Sequence, residues 1–206
     1  MLRFENVGLR YGSSEETLSD VTFAVEPRSF QFLTGPSGAG KTSLLRLLAG
    51  LSLPESGAIS WRGVALPDLG EEYHRDLLYL GHAPAVKDDL SAEENLRFAA
   101  WLTGEQPSAD DCRDALREIG LGSRADLPAK VLSQGQRRRI GLARLLLSRK
   151  PLWILDEPYT ALDVGAVDAV RAILEGHLGR GGLLVLTTHQ DVELRSGKSQ
   201  TLDLGP

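Results

Sequence analysis

Cysteine is almost missing from this chain. With Cys112 alone, no disulfide can form within it, so packing and hydrogen bonds must hold the fold and a reducing compartment is expected. That residue reads as a small buried hydrophobe rather than a reactive thiol. Positive charge is also short: 23 Lys and Arg against 28 Asp and Glu leave a net charge of −5, which argues against a nucleic-acid partner. No apolar run approaches the ~18 residues that a membrane span needs. The start, Met1-Leu-Arg-Phe-Glu-Asn, lacks the charged-then-apolar layout of a signal peptide. The chain is expected to be soluble by itself, so any membrane role must come through a partner. Internal repeats and low-complexity segments are absent too.

What remains is an ordinary globular composition, 42% apolar and 25% charged, over a length of 206 residues that suits one larger domain, 1–206. Residues 2 to 33 read as β-rich, with turn signals at Gly12 and Pro27. Further β stretches are expected at 57–61 and 77–80, the latter ending at Gly81-His82. From about 83 the character becomes helical. Ser91 to Glu94 is a capping box ahead of Leu96 to Leu102, and a second helix starts at Ser108 and stops at Gly120. This helical insert, about 83–148 with the helix that follows it, interrupts an α/β core. The core resumes with strand 152–155, helix 164–178 and strand 183–187, whose uninterrupted apolar runs indicate parallel strands covered on both faces. Residues 196–206 are too short for another domain. His74 and His177 read as lying in polar surroundings without a role, and Trp101, at helical spacing, reads first as a core residue.

The chemistry concentrates in four places. Gly35, Pro36, Ser37, Gly38, Ala39, Gly40, Lys41 and Thr42 fit G-x-x-x-x-G-K-[ST] between a β-branched and aromatic run and a leucine-rich helix. Such a turn aims several backbone N–H groups at one polyphosphate, at the positive end of the following helix. Lys41 would reach the β- and γ-phosphates, Thr42 would take one Mg²⁺ position, and Ser43 completes the ATP-binding set. Second, the strand Leu152 to Leu155 runs into Asp156 and Glu157. Ligands bind beyond the carboxyl ends of parallel strands, so Asp156 suits a Mg²⁺ contact and Glu157 the activation of water. Third, His189 follows strand 183–187 and is placed to meet the γ-phosphate or the attacking water. Fourth, Ser133, Gln134, Gly135 and Gln136 open a helix. Ser133 with Gln136 is a capping pair, while Gly135 leaves the helix end open to close approach, which makes a second anion-binding terminus, expected to meet a phosphate on another subunit. Arg137, Arg138 and Arg139 then read as a solvated helix face. Tyr11 either stacks on an adenine or is a half-buried strand residue.

The ordered set GPSGAGKT, LSQGQ, LWILDEP, ALD (161–163) and TTHQ resembles the ATP-binding cassette (ABC) ATPase subunits across nearly the whole chain. The resemblance implies an α/β P-loop NTPase fold with a RecA-like core, a β-rich subdomain and a helical subdomain. It implies a head-to-tail homodimer trapping ATP and Mg²⁺ between the P-loop of one copy and LSQGQ of the other. By the same resemblance Glu157 is the catalytic carboxylate, His189 the switch histidine, Asp163 the cross-interface aspartate and Tyr11 the adenine-stacking aromatic. Within the family, the runs 79–87, 91–98, 151–158 and 181–190 are most similar to the ATP-binding subunits of the haem exporter of bacterial cytochrome c maturation. His82 stands where most ABC subunits carry glutamine, and that branch is similar in having histidine there, which implies a coupling role toward the membrane partner. Gln134 and the Arg28-Ser29 turn depart from the commoner small residue and glycine. The implied setting is a peripheral subunit on the cytoplasmic side of the inner membrane, docked through residues 83–130 to integral membrane transporter subunits, with Trp101 a candidate contact. An ABC ATPase for another small solute would carry the same motifs. One acting on nucleic acid or the ribosome would usually bring two cassettes or a long coiled coil, and neither is present.

Overall fold

A computed structural model describes residues 1–11, 15–190 and 192–205. The chain divides into two compact units: 1–79 with 150–156 and 176–206, and 80–149 with 157–175.

The first unit holds two sheets. Strands β1 (Leu2–Tyr11), β2 (Glu15–Val25), β4 (Ser56–Trp61) and β5 (Val64–Ala65) form an antiparallel sheet in the order β2-β1-β4-β5. Pairing of Phe4 with Phe23 across β1 and β2 puts their rings 4.7 Å apart and stacked, the kind of cross-strand contact that fixes register. Pro27 and Arg28 turn the chain from β2 into β3 (Ser29–Thr34), with Arg28 at φ 61. The second sheet has the order β6-β7-β8-β3-β9, with β6 at Leu77–Leu80, β7 at Leu152–Leu155, β8 at Leu183–Thr187 and β9 at Lys198–Asp203. β7, β8, β3 and β9 run parallel to their neighbours in that order. Every residue of β7 and β8 is buried, in keeping with a sequence that is apolar throughout except for Thr187.

Helix α1 (Lys41–Leu48) packs Leu44, Leu45, Leu47 and Leu48 into this core with no exposed surface. Each such burial is worth about 2 kcal/mol, which anchors the helix that begins the glycine-rich segment's far side. Two short helices, α2 (Leu66–Leu69) and α3 (Glu71–Asp76), lead to β6.

One expectation fails in this unit. His177 is not in polar surroundings: it is 4% exposed, its ring stacks on Trp153 at 3.7 Å, and burial pushes its pKa down to about 4. The carboxyl-terminal residues, too short for a domain of their own, add β9 as an edge strand to β3.

The second unit is mostly helical. Helices α4 (Ala92–Leu102), α5 (Ala109–Glu118) and α6 (Gln134–Leu147) pack on one another, and α7 (Val164–Gly179) starts here. Capping boxes at Ser91 and Ser108 close α4 and α5, each worth about 1 kcal/mol. Gly120, at φ 78, ends the second of these. Cys112 is fully buried, and burial raises its thiol to about 11, as an inert hydrophobe should be. Trp101 is not a core residue. It is 54% exposed beside Phe98 and Leu102, with the Arg97 guanidinium 5.4 Å over its ring.

Candidate nucleotide site

Parallel strands β7, β8 and β3 deliver their carboxyl ends to one edge of the sheet. Beyond β3 come Gly35 to Thr42, beyond β7 comes Asp156, and beyond β8 comes His189, exposed to solvent. Gly38 and Gly40 both sit at φ 87, a left-handed conformation that only glycine adopts without strain. Gly40 is the residue before α1, and no side chain caps that helix end. Its positive terminus therefore meets whatever occupies the loop. Helices α4, α5 and α6, by contrast, are all closed by their own side chains. Lys41 turns back over the loop, its ammonium donating to the Gly35 and Pro36 carbonyls at 2.7 and 2.8 Å. The cation is thereby fixed at the mouth of the turn. The exposed residues Pro36, Ser37 and Gly38 form its rim, with Ala39 and Ser43 half-buried behind them.

Asp156 is 3% exposed and held from two sides. Thr42 Oγ1 donates to its Oδ2 at 3.2 Å, and Thr187 Oγ1 donates to its Oδ1 at 2.8 Å. Thr187, fully buried at the end of β8, orients the carboxylate. Tyr11 closes β1, but its side chain lies outside the described ones.

The second unit carries the other residues. Ser133 caps α6: its hydroxyl accepts from the Gln136 N–H at 3.2 Å, while Gln136 Oε1 accepts from the Ser133 N–H at 2.9 Å. The expected openness at Gly135 meets a different fact. A Cβ there would lie 2.6 Å from the Ala161 carbonyl oxygen, so the missing side chain makes room for the segment after Glu157. Ser133 and Gln134 are exposed. Glu157 has φ 51 and stands before Pro158, where such a backbone is strained by roughly 1–2 kcal/mol. Asp163 begins α7. Its Oδ1 accepts from the Ala166 N–H at 2.9 Å and its other oxygen pairs with Arg139, and these contacts, the backbone one first, lower its pKa.

The reading of Arg137, Arg138 and Arg139 as a solvated face is overturned. Arg138 is 7% exposed, its Nη1 donating to the Gly81 and His82 carbonyls at 2.9 and 2.8 Å and its Nη2 to the Glu157 carbonyl at 2.9 Å. Arg137 pairs with Asp88 and Arg139 with Asp163. Three successive residues of one helix point about 100° apart, so a run of charge on its own does not say which of them turns inward. His82 itself is exposed, and its carbonyl accepts from Arg138.

The ABC transporter family profile matches residues 18–160. The chain belongs to the ABC transporter family. It is 48% identical to the cytochrome c biogenesis ATP-binding export protein CcmA of Dechloromonas aromatica over 205 residues, all of both chains. It is 54% identical to the CcmA of Nitrosomonas europaea over 174 residues, 84% of this chain and 82% of that one. A solved ATP-binding subunit of an ABC transporter is 32% identical, with a TM-score of 0.80 over 91% of this chain and 79% of its own. A solved bacterial ABC transporter cassette reaches a TM-score of 0.85 over 99% of this chain and 95% of its own at 24% identity, a likeness of fold. The fold is thus that of an ABC ATPase cassette, an α/β P-loop architecture, as the motifs imply.

In this family setting the donor set of the first unit suits a hard cation. A threonine hydroxyl and a doubly anchored carboxylate are the few protein oxygens that Mg²⁺ takes when substrate phosphates and water complete its shell. The sequence reading gives Thr187 no role and puts Arg138 on a solvated face, yet both are residues of consequence. The first carried a faint signal as the last residue of an otherwise apolar strand.

Proposed function

We propose that this chain binds and hydrolyses Mg-ATP as the peripheral ATPase subunit of a haem-exporter-type complex of cytochrome c biogenesis. The observation that carries the ATP reading is the first unit's sheet edge: an uncapped helix end behind a left-handed glycine turn, a lysine fixed over it, and a threonine–aspartate pair beside it. The export and cytochrome reading is supported by full-length similarity to a protein carrying that name.

In this reading the residues 35–43 hold the triphosphate, with Lys41 on the β- and γ-phosphates. Thr42 and Asp156 hold Mg²⁺, which when bound neutralises charge on the β- and γ-oxygens. Glu157 accepts a proton from the water that attacks the γ-phosphorus, and His189 steadies that water and phosphate. The bond to the β-γ bridging oxygen breaks, leaving ADP and inorganic phosphate. Tyr11 stacks on the adenine. Ser133, Gln134, Gly135 and Gln136 of a second copy close over the phosphates, with Asp163 crossing the interface, so a homodimer is the working form. The α4 face of Phe98, Trp101 and Leu102, apolar and exposed on a chain whose described residues include no membrane-spanning helix, supports docking to integral membrane subunits at the cytoplasmic side of the inner membrane. His82 transmits the closure to them.

Deleting the chain in a bacterium that makes c-type cytochromes tests the assignment. Loss of holo-cytochrome, restored by the parent chain but not by a Lys41→Ala variant, is expected. Normal holo-cytochrome after deletion would remove the cytochrome assignment.

A further inference from the structure

We infer that Arg138 is the positioning residue that ties the signature helix to both the His82 segment and the Glu157 peptide. The inference rests on the ATPase reading and adds to it a residue that none of the sequence motifs singles out. The geometry is specific. One guanidinium, buried in the second turn of α6, takes the carbonyls of two consecutive residues, Gly81 and His82, on Nη1, and the carbonyl of Glu157 on Nη2. Only arginine presents a rigid planar fork of this kind.

Two of the three anchored carbonyls, those of His82 and Glu157, belong to residues with a job in the proposed cycle. Glu157 is held at φ 51 ahead of a proline, so its backbone has a strained conformation that relaxes unless it is clamped. Arg138 supplies the side-chain part of that clamp through the Glu157 carbonyl, which also accepts from the Thr160 N–H at 3.2 Å, and so helps set where the carboxylate begins. On the other side, the backbone at Gly81 and His82 cannot shift without moving the same guanidinium. The flanking arginines extend the pattern, Arg137 to Asp88 on the segment after His82 and Arg139 to Asp163 after Glu157. Helix α6, with Ser133 at its start, is consequently a hub from which neighbouring side chains hold two chain segments in register. A movement imposed on the start of α6 reaches both segments through one side chain.

Steady-state ATP hydrolysis and amide hydrogen exchange on the full-length chain test this. In Arg138→Gln, and in Arg138→Lys, which keeps charge and bulk should the first variant fold poorly, kcat is expected to fall at least tenfold while KM for ATP stays within twofold. Exchange in 81–84 and 157–160 should accelerate together, with α4 and α5 unchanged. Adding Mg-ATP should still protect 35–42 in both variants but should no longer alter 81–84. A kcat within twofold of the parent in Arg138→Lys, or ATP-dependent protection of 81–84 that survives the change, would overturn the inference. If Mg-ATP fails to protect 35–42 in the parent chain, the ATPase reading itself is at fault, whatever Arg138 does.

Discussion

Replacing Thr187 with valine removes one hydroxyl and almost no volume. That hydroxyl donates to Asp156 Oδ1 at 2.8 Å from a fully buried position, and the carboxylate it serves is itself 3% exposed. A hydrogen bond to a charged group contributes about 1.5–3 kcal/mol. Loss of an outer-shell partner of a metal-binding side chain lowers metal affinity by about 10–100-fold, or about 1.4–2.7 kcal/mol. The two routes agree, because both describe a carboxylate that loses the Thr187 donor on one oxygen while keeping the Thr42 donor on the other. ATP hydrolysis followed across Mg²⁺ concentration, at saturating ATP, should show the midpoint rising about 10–100-fold in Thr187→Val. Thr187→Ser, which restores a hydroxyl, should recover most of it, and Mg²⁺-free ATP binding should be unaffected. An unchanged Mg²⁺ midpoint in folded Thr187→Val protein would refute the orienting role.

Two further outcomes follow from buried contacts. His177 is pushed down to about 4 by burial, while an unfolded histidine stays near 6.5, so the unfolded chain takes up the proton first as pH falls. Its contribution to stability is full above 6.5 and lost on descending to about 4, at most about 3 kcal/mol. Urea unfolding at pH 7 and pH 4.5 should therefore show a smaller acid loss in His177→Gln than in the parent, and equal losses would contradict this. Gly135→Ala would place a Cβ 2.6 Å from the Ala161 oxygen, so stability should drop by about 1–3 kcal/mol and ATP turnover should fall with it. A variant with parental melting temperature and turnover would show that the segment yields freely.

The sequence made some of this structure plain and hid the rest for identifiable reasons. β7 and β8 were legible because strands buried on both faces are mostly apolar, and the Ser91 and Ser108 helix starts because capping needs specific side chains. β9 was not legible: its residues are almost all exposed, and it exists because the edge of β3 offers unpaired backbone groups. Trp101 shows the limit of periodicity, which tells which residues share a helix face but not what lies against that face. The glycine turn, Asp156 and Glu157 were read from their motifs. The roles of Thr187 and Arg138 were not legible because each acts through another residue's carboxylate or carbonyl, which neither the TTHQ motif nor the arginine run records.

Glu157→Gln offers the most direct measurement of the central claim, that two copies enclose ATP and one carboxylate per site drives its hydrolysis. Light scattering of the purified variant with Mg-ATP, paired with phosphate release, should show a persistent dimer, about twice the 22.3 kDa of the single chain, and no turnover. A variant that stays at the mass of one chain and releases phosphate at the parental rate would contradict the account.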